Sequence, residues 1–211
     1  VRIATMDELA SGYIARCMPA LARFDPAIKI ELVSNPQVVD LNRKEADVFL
    51  SFFNPAMRGL RSTLVGNFSL FLYCSKDYLK RHGRPRRRSD LAEHVFVGYV
   101  DDLLAIDAVR WLDEVIMAPR FSFQSNSVFA QRNAALQGMG IVLLPTFVAS
   151  GVDGFERILD DEVSIHREVW VSARTEHSHL ARIKAVMAFL KYIFARDVDF
   201  LRGKIDNISN G

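Results

Sequence analysis

The chain has 211 residues, half of them hydrophobic and a quarter charged. This is the composition of one large folded domain or two small ones and excludes a disordered chain. A formal net charge of +2 is too small to predict that these residues bind nucleic acid or a membrane. No apolar run reaches the roughly 18 residues that a membrane span needs, and no signal-peptide pattern is present.

The first quarter of the chain alternates strand and helix patterns. Residues 1–5 (VRIAT) already read as a strand, so we expect a piece of a longer protein. The order β-α-β-α-β predicts a parallel sheet with right-handed crossovers. The elements are strands at 1–5, 28–33 and 46–52, a helix from Asp7 or Glu8 with Leu9, Tyr13, Cys17, Leu21 and Phe24 on one face, and a short helix at 36–44.

The remainder predicts a second α/β set and a C-terminal helix. Extended segments cover 60–73, and Ser75 caps a helix to about His82. The chain is expected to pass between two lobes near 71–74 and again near 169–172. The other elements are strands at 95–100, 120–123 and 167–172, a helix at 105–116 with Val109, Leu112 and Ile116 inward, and a last helix with Leu180, Ile183, Met187, Leu190 and Phe194 as its apolar stripe.

The stretch 124–145 (QSNSVFAQRNAALQGMGIVLLP) shows a helix that ends against a buried strand. Ser127 is a good N-cap, and Gly138 suits the left-handed position after a helix. The apolar run 141–144, bounded by Gly140 and Pro145, predicts a strand buried on both faces. The polar entry lies at the positive end of the helix dipole, which can receive an anion or an acceptor group. Taken alone, this stretch is explained more simply by Ser127 capping its own helix.

The sequence gives little support to nucleic-acid binding, to a metal or cofactor site, or to catalysis. The basic run 81–90 (RHGRPRRRSD) contains a proline and no aromatic residue, which favours a solvated loop over a nucleic-acid contact. His177 and His179 lack further ligands, so no metal site is predicted, and no cofactor motif is present. No nucleophile or phosphate-loop motif points to an enzyme. Cys17 and Cys74 stand in apolar surroundings, and we expect buried free thiols of a reducing cytoplasm.

Several stretches together resemble the effector-binding domain of LysR-type transcriptional regulators. They are VRIATMDELASGYIARCMPALARFDPAIKIELV, EADVFLSF, LFLYCSKDYLKRHGRP, SDLAEHVFVGY, the stretch ending GMGIVLLP, and REVWVSARTEHSHLARIKAVMAFL. The resemblance implies an α/β, two-lobed, periplasmic-binding-protein type 2-like fold, each lobe a mixed sheet flanked by helices. Lobe I would be 1–72 plus 172–211 and lobe II 73–171, joined by two strand crossovers.

The resemblance also implies a small-molecule effector in the cleft between the lobes. The residues it places there follow the predicted strands or precede the 127–137 helix. They are Met6, Asp7, Asn35, Ser51, Phe52, Tyr99, Asn126, Ser127, Pro145 and Thr146.

One departure from the family pattern concerns the effector's charge. Many members place small hydroxyl residues after the first strand, where this chain has Met6-Asp7-Glu8. Two acidic side chains disfavour an anion there. The acidic part of an effector is therefore expected on the Asn126 and Ser127 side, or the effector is neutral or cationic.

The function that the resemblance implies is ligand sensing by a cytoplasmic bacterial regulator. DNA binding would belong to an N-terminal winged helix-turn-helix that is absent from these residues. Homodimers or homotetramers would form through the helices at 7–24 and 127–137. An extracytoplasmic solute-binding protein of the same fold is the alternative, and a small-molecule enzyme is a third class that turnover of a bound ligand would support.

Overall fold

A computed structural model describes residues 1–34, 46–55, 57–103 and 110–205. Its contacts divide the chain into two units, unit 1 (Val1–Phe68 and Arg167–Gly211) and unit 2 (Ser69–His166). The strands are β1 (Arg2–Thr5), β2 (Glu31–Ser34), β3 (Val48–Ser51), β4 (Leu60–Ser75), β5 (Val95–Gly98), β6 (Arg120–Gln124), β7 (Ile141–Pro145), β8 (Phe155–Ile158) and β9 (Ile165–Arg174). The helices are α1 (Asp7–Leu9), α2 (Ala15–Phe24), α3 (Lys76–His82), α4 (Val128–Leu136), α5 (Thr146–Ala149), α6 (Ala181–Arg196) and α7 (Val198–Leu201).

The sheet of unit 1 is parallel in its first three strands, as the strand-helix alternation predicts. β1 lies between β2 and β3 and runs parallel to both. β9 then joins β3 in the antiparallel direction, pairing Val48 with Ala173 and Ser51 with Trp170. The predicted 36–44 helix lies outside the described residues. Because β1, β2 and β3 share one direction, their carboxyl ends meet at a single edge.

The predicted helix from Asp7 to Phe24 is interrupted by a π turn at Ala10–Ile14, which separates α1 from α2. Pro19 lies inside α2 and supplies no N–H to the helix ladder. The predicted inward face is buried except at its end. Phe24 is 58% exposed, because it is the last residue of α2; its ring packs at a tilt against Phe189, at a centroid distance of 6.0 Å.

A buried ionic cluster joins the π turn at Ala10–Ile14 to the C-terminal helices of unit 1. Asp197 is 1% exposed and accepts hydrogen bonds from Arg196 Nε at 2.8 Å, Arg196 Nη2 at 2.7 Å and Tyr13 Oη at 3.0 Å. Burial, together with the nearby Cys17 and Asp197, raises the pKa of Tyr13 well above its ordinary value. Burial also raises the pKa of the free Cys17 thiol to about 11, so this cysteine is a packing residue.

The predicted stripe of the last helix is largely correct. Ile183, Leu190 and Phe194 of α6 are buried, whereas Met187 is half-buried. Val186, Phe189 and Ile193 complete the buried face, which makes the stripe wider than the predicted one. None of the helices in the described part of the chain combines the length and the apolar character needed to cross a bilayer.

The sheet of unit 2 is built around β7, which is buried along its whole length. β7 pairs antiparallel with β4 and parallel with β5, and β5 pairs parallel with β6. β8 joins β4 antiparallel. The predicted central strand at 141–144 is therefore correct, and it extends by one residue through Pro145, which pairs with Leu70.

The predicted caps are also correct. Ser75 Oγ accepts the N–H of Tyr78 at 3.1 Å at the start of α3. Ser127 Oγ accepts the N–H of Ala130 at 3.3 Å at the start of α4. Gly138 has a φ of +81°, the left-handed geometry that ends α4.

The predicted helix at 105–116 is wrong over its described part. Residues Trp111–Glu114 form one 3₁₀ turn, with Trp111 and Val115 buried rather than Leu112 and Ile116. Residues 104–109, including Val109, lie outside the described part of the chain. The carbonyl groups of Glu114 and Val115 accept hydrogen bonds from the distant Arg88 side chain. A contact from another part of the chain therefore holds the end of this turn.

Candidate functional site

The predicted site residues of unit 1 lie at the carboxyl edge of its sheet. Met6 and Asp7 follow β1, and Ser51 and Phe52 stand at the end of β3. Ser51 is buried, and its hydroxyl donates to the Phe53 carbonyl at 2.6 Å. Asn35 lies outside the described residues.

Two more of these side chains have intramolecular partners. Asp7 Oδ1 accepts a hydrogen bond from Ser11 Oγ at 2.9 Å. Phe52 is 8% exposed and packs on Phe68 at a ring-centroid distance of 4.8 Å. Phe52 is therefore part of the core, and Asp7 stabilises the first turn of its own helix.

Glu8 is the neighbouring carboxylate that sequence reasoning left out of the site. Burial is the main reason why its pKa rises from 4.5 to about 7, and the charge of Asp7 adds to the rise. A carboxyl group with this pKa exists in both protonation states at neutral pH. The sequence signal was its place in the Met6-Asp7-Glu8 run, but the degree of burial depends on the fold.

Thr5 is the second residue that the sequence did not single out. It is 1% exposed, and its hydroxyl oxygen has no hydrogen-bond partner among the described residues. A buried polar group without a partner costs free energy, and such groups in native folds call for an explanation. Thr5 ends β1 and pairs with Ser34 of β2, so this hydroxyl stands at the same edge as Glu8.

The predicted residues of unit 2 also gather at strand ends. β5, β6 and β7 run in one direction, so Tyr99, Asn126 and Pro145 follow or end neighbouring strands at one edge. Hydrogen bonds join the strand ends directly. Gln124 Nε2 donates to the Tyr99 carbonyl at 2.7 Å, and the Ser125 N–H donates to the Gly98 carbonyl at 2.9 Å.

Ser127 and Thr146 are already engaged, whereas Asn126 is exposed. The hydroxyl oxygen of Ser127 caps α4, which is the local interpretation of the opening sequence. Thr146 begins α5 and is 5% exposed. Among the predicted polar contacts of unit 2, Asn126 is therefore the side chain most available to a ligand.

A cavity of about 40 Å³ lies at the same edge of unit 2. It is bordered by the ends of β5 and β7, by α4 and by the 3₁₀ turn at 111–114. Gln131, a helix residue that the sequence analysis passed over, lines it with its side chain 1% exposed. The full lining is Leu70, Val97, Gly98, Tyr99, Asp101, Arg110, Trp111, Leu112, Asp113, Phe121, Val128, Gln131, Leu143 and Pro145.

The basic run at 81–90 has mainly internal partners. Arg84 Nη2 lies 2.6 Å from Glu156 Oε2, and Arg87 Nε lies 3.0 Å from Asp90 Oδ1. Arg81 donates to the Gly138 carbonyl at 2.9 Å, behind the end of α4. The run covers the end of α3, a connection at 83–87 and the start of a 3₁₀ helix at Arg88–Glu93, so the predicted connecting loop is correct only for its middle part. Within the described residues, no cluster of three or more His, Cys, Asp or Glu side chains is arranged for a metal ion.

Comparison with known proteins identifies the family. The model of the LysR substrate binding domain matches residues 1–195. The chain belongs to this family. It shares the α/β, two-lobed, periplasmic-binding-protein-like fold of LysR regulatory domains, as the resemblance implied.

The solved structures and curated relatives are transcriptional regulators. The regulatory domain of CrgA from Neisseria meningitidis superimposes with a TM-score of 0.77 at 20% identity, covering 91% of this chain and 97% of that one. The effector domain of AmpR from Pseudomonas aeruginosa gives a TM-score of 0.74 at 16% identity, covering 94% and 96%. Structural similarity at 16 to 20% sequence identity shows that the fold is shared.

Among sequence relatives, an uncharacterized HTH-type transcriptional regulator of Haemophilus influenzae is 30% identical over 141 residues, 64% of this chain and 48% of that protein. The Mau operon transcriptional activator of Paracoccus denitrificans is 23% identical over 173 residues, covering 82% and 57%. The chain thus spans about half the length of the curated relatives it matches. The family and these relatives are regulators rather than enzymes, and they do not favour the solute-binding alternative.

Proposed function

We propose that these residues sense a small-molecule effector for a cytoplasmic LysR-type regulator whose DNA-binding part lies outside the 211 residues. The observation that carries this proposal is the family match over residues 1–195. The proposal is also supported by the sheets, each of which has an edge where parallel strands end. Ligands of open α/β sheets bind beyond the carboxyl ends of strands. As the resemblance implies, we propose that the effector contacts residues at both edges.

The chemistry of these edges favours an effector that is not a simple dicarboxylate. Asp7 and Glu8 place two carboxyl groups at the edge of unit 1, and Thr5 adds a hydroxyl without a partner among the described residues. A hydroxyl, amide or amine of the effector would satisfy these groups. Asn126 is the exposed polar side chain of unit 2 that would receive any acidic part.

Regulation would work by population shift. An effector that binds one arrangement of the regulator more tightly moves the oligomer toward the DNA-bound state built on that arrangement. We propose that the helices at 7–24 and 127–137 supply the contacts between copies. Large exposed apolar side chains at the end of α2 and just beyond α4, Phe24 and Met139, support this assignment.

The experiment begins with a thermal-shift screen of this chain against amines, amino acids, aromatic acids and dicarboxylates. A ligand at 100 times its dissociation constant adds about 2.7 kcal/mol to the free energy of unfolding. We expect a hit that is weakened at least tenfold by Glu8→Gln or Asn126→Ala. The matched controls Glu93→Gln and Asn133→Ala change exposed side chains away from the strand ends and should leave affinity unchanged.

The regulatory half is tested in the full-length regulator. Operator binding is measured by fluorescence anisotropy with and without the hit, and oligomer size by sedimentation velocity. Phe24→Glu should shift the oligomer toward smaller species, while Met117→Glu, at a residue 90% exposed and outside both helices, should not. An effector that binds but changes neither operator affinity nor oligomer size would refute the proposed function.

A further inference from the structure

The side-chain amide of Gln131 is hydrogen-bonded through its nitrogen, whereas its oxygen receives no hydrogen bond from a described residue. Its Nε2 donates to the Ser125 carbonyl at 2.7 Å, which fixes the orientation of the amide. No described residue donates to its Oε1. Since Gln131 is 1% exposed and lines the cavity of unit 2, we infer that a partner would reach this acceptor from the cavity. An acceptor on a nearly buried residue that receives no hydrogen bond from a described residue favours a partner that enters the cavity.

The walls around Gln131 are apolar. Their free volume, about 40 Å³, exceeds that of one water and suits the compact end of a ligand whose remainder lies toward the mouth. Gly98 matters for this shape, because a Cβ there would collide with the Phe121 ring. The apolar side chains that face the cavity include Leu70, Val97, Phe121, Val128 and Leu143.

The charged residues of the lining discriminate against anions. Asp101 and Asp113 carry two negative charges and Arg110 one positive charge. Arg110 Nη1 lies 3.2 Å from Asp101 Oδ1, so its charge is already engaged. A carboxylate that entered here would meet lining residues whose net charge is negative. It would also lose its hydration, and no unengaged cation of the lining would compensate for that loss.

We propose that this cavity takes a compact, branched apolar group that carries a hydroxyl or amino donor, and that Gln131 Oε1 accepts the hydrogen bond from this donor. The ligand is uncharged or cationic at this end. The inference rests on the proposed function in one respect, namely that the ligand is the effector; the cavity and its acceptor stand independently of regulation.

The test uses four probes with the same isobutyl-type end and different head groups. Isobutanol and isobutylamine carry a donor, methyl isobutyl ether carries none, and isovalerate is an anion. The chain has two tryptophans, and Trp111 lines the cavity. In a Trp170→Phe background, fluorescence titration of Trp111 reports binding, and ligand-detected NMR gives an independent dissociation constant. We expect the two donors to bind about fivefold more tightly than the ether or the anion, the ratio for one net hydrogen bond.

Substitutions then assign the donor's partner. Gln131→Leu should weaken isobutanol about fivefold and leave the ether unchanged, whereas Gln137→Leu, at an exposed residue just past the same helix, should change neither. Val128→Phe fills the cavity and should abolish binding of every probe. If Gln131→Leu does not fold, Gln131→Met removes the same acceptor with a side chain of similar length.

Three results would overturn the inference. One is equal affinity for all four probes, another is discrimination that survives both Gln131 substitutions, and the third is the absence of saturable binding, which would mean that the cavity holds water only. A failure of the proposed function is distinct. In that case the donors bind as described but an effector leaves operator affinity of the full-length regulator unchanged.

Discussion

Ionised Glu8 should lower the free energy of unfolding at neutral pH. Replacing Glu8 should therefore raise that free energy by an amount that increases with pH. Its pKa of about 7 in the folded chain exceeds the ordinary 4.5, so the folded state holds a proton that the unfolded state has lost between these values. The free energy of unfolding therefore falls as pH rises from 4.5 to 7. At about 1.4 kcal/mol for each pKa unit, the upper limit of the loss is roughly 3 kcal/mol.

The perturbation is Glu8→Gln, which keeps the acceptor oxygen and removes the charge. We expect the variant to match the parent at pH 4.5 and to exceed it by about 1 to 2 kcal/mol at pH 8, because partial exposure of Glu8 reduces the limit. Urea denaturation at several pH values measures the difference in unfolding free energy between variant and parent. The titration of all other groups cancels in this difference because both proteins contain them. A gain that is the same at pH 4.5 and pH 8, or a similar pH profile in the control Glu93→Gln, would refute the burial argument.

Two further predictions concern the core of each unit. Asp197→Asn leaves the Arg196 guanidinium without its buried partner and should cost about 3 kcal/mol in urea denaturation, while Asp199→Asn, at an exposed carboxylate, should cost less than about 0.5 kcal/mol. Burial and the nearby His82 lower the pKa of His94 below 6.5, so the unfolded chain binds more protons in acid and stability should fall below pH 6.5. His94→Gln should reduce this acid loss and the exposed His179→Gln should not; equal pH profiles for both variants would contradict it.

The elements that the sequence predicted well are those set by local chemistry. Ser75 and Ser127 cap helices because a hydroxyl accepts an N–H two or three residues onward, wherever the helix packs. Gly138 ends α4 because a positive φ suits glycine. The run at 141–144 is a central strand because four consecutive apolar side chains require burial on both faces.

The errors have nonlocal causes. The pattern at 105–116 predicts a helix, yet its described part forms a single 3₁₀ turn at Trp111–Glu114, and Arg88, more than twenty residues away, donates to the carbonyls of Glu114 and Val115. β9 joins β3 in the antiparallel direction, a pairing that no alternation within residues 1–52 specifies. Phe24 fits the spacing of a buried face but lies where α2 ends, and spacing does not report where neighbouring elements stop.

The residues of the candidate site fall into the same two groups, those that the sequence predicts and those whose properties depend on distant parts of the chain. Strand-end residues such as Tyr99 and Pro145 follow from the order of strands, because parallel strands bring their carboxyl ends together. The groups with unusual physical states, Glu8 and Gln131, do not follow from that order. A carboxyl becomes half-protonated at neutral pH, and an amide oxygen receives no hydrogen bond from a described residue, only because of what the rest of the chain packs around them.

Under the proposed function, each of these two groups, one in each unit, bears separately on the chemistry of the effector. Glu8 accepts a hydrogen bond or a cation when ionised, Gln131 Oε1 accepts a hydrogen bond, and the lining of the cavity in unit 2 carries more negative than positive charge. Each of these features favours a ligand that donates hydrogen bonds over one that carries carboxylates. If an amine is the effector, its charge stabilises ionised Glu8, and its affinity should rise up to tenfold per pH unit as pH approaches 7 from below. An affinity that falls over the same pH range would instead mean that protonated Glu8 is the donor and that the effector is an acceptor.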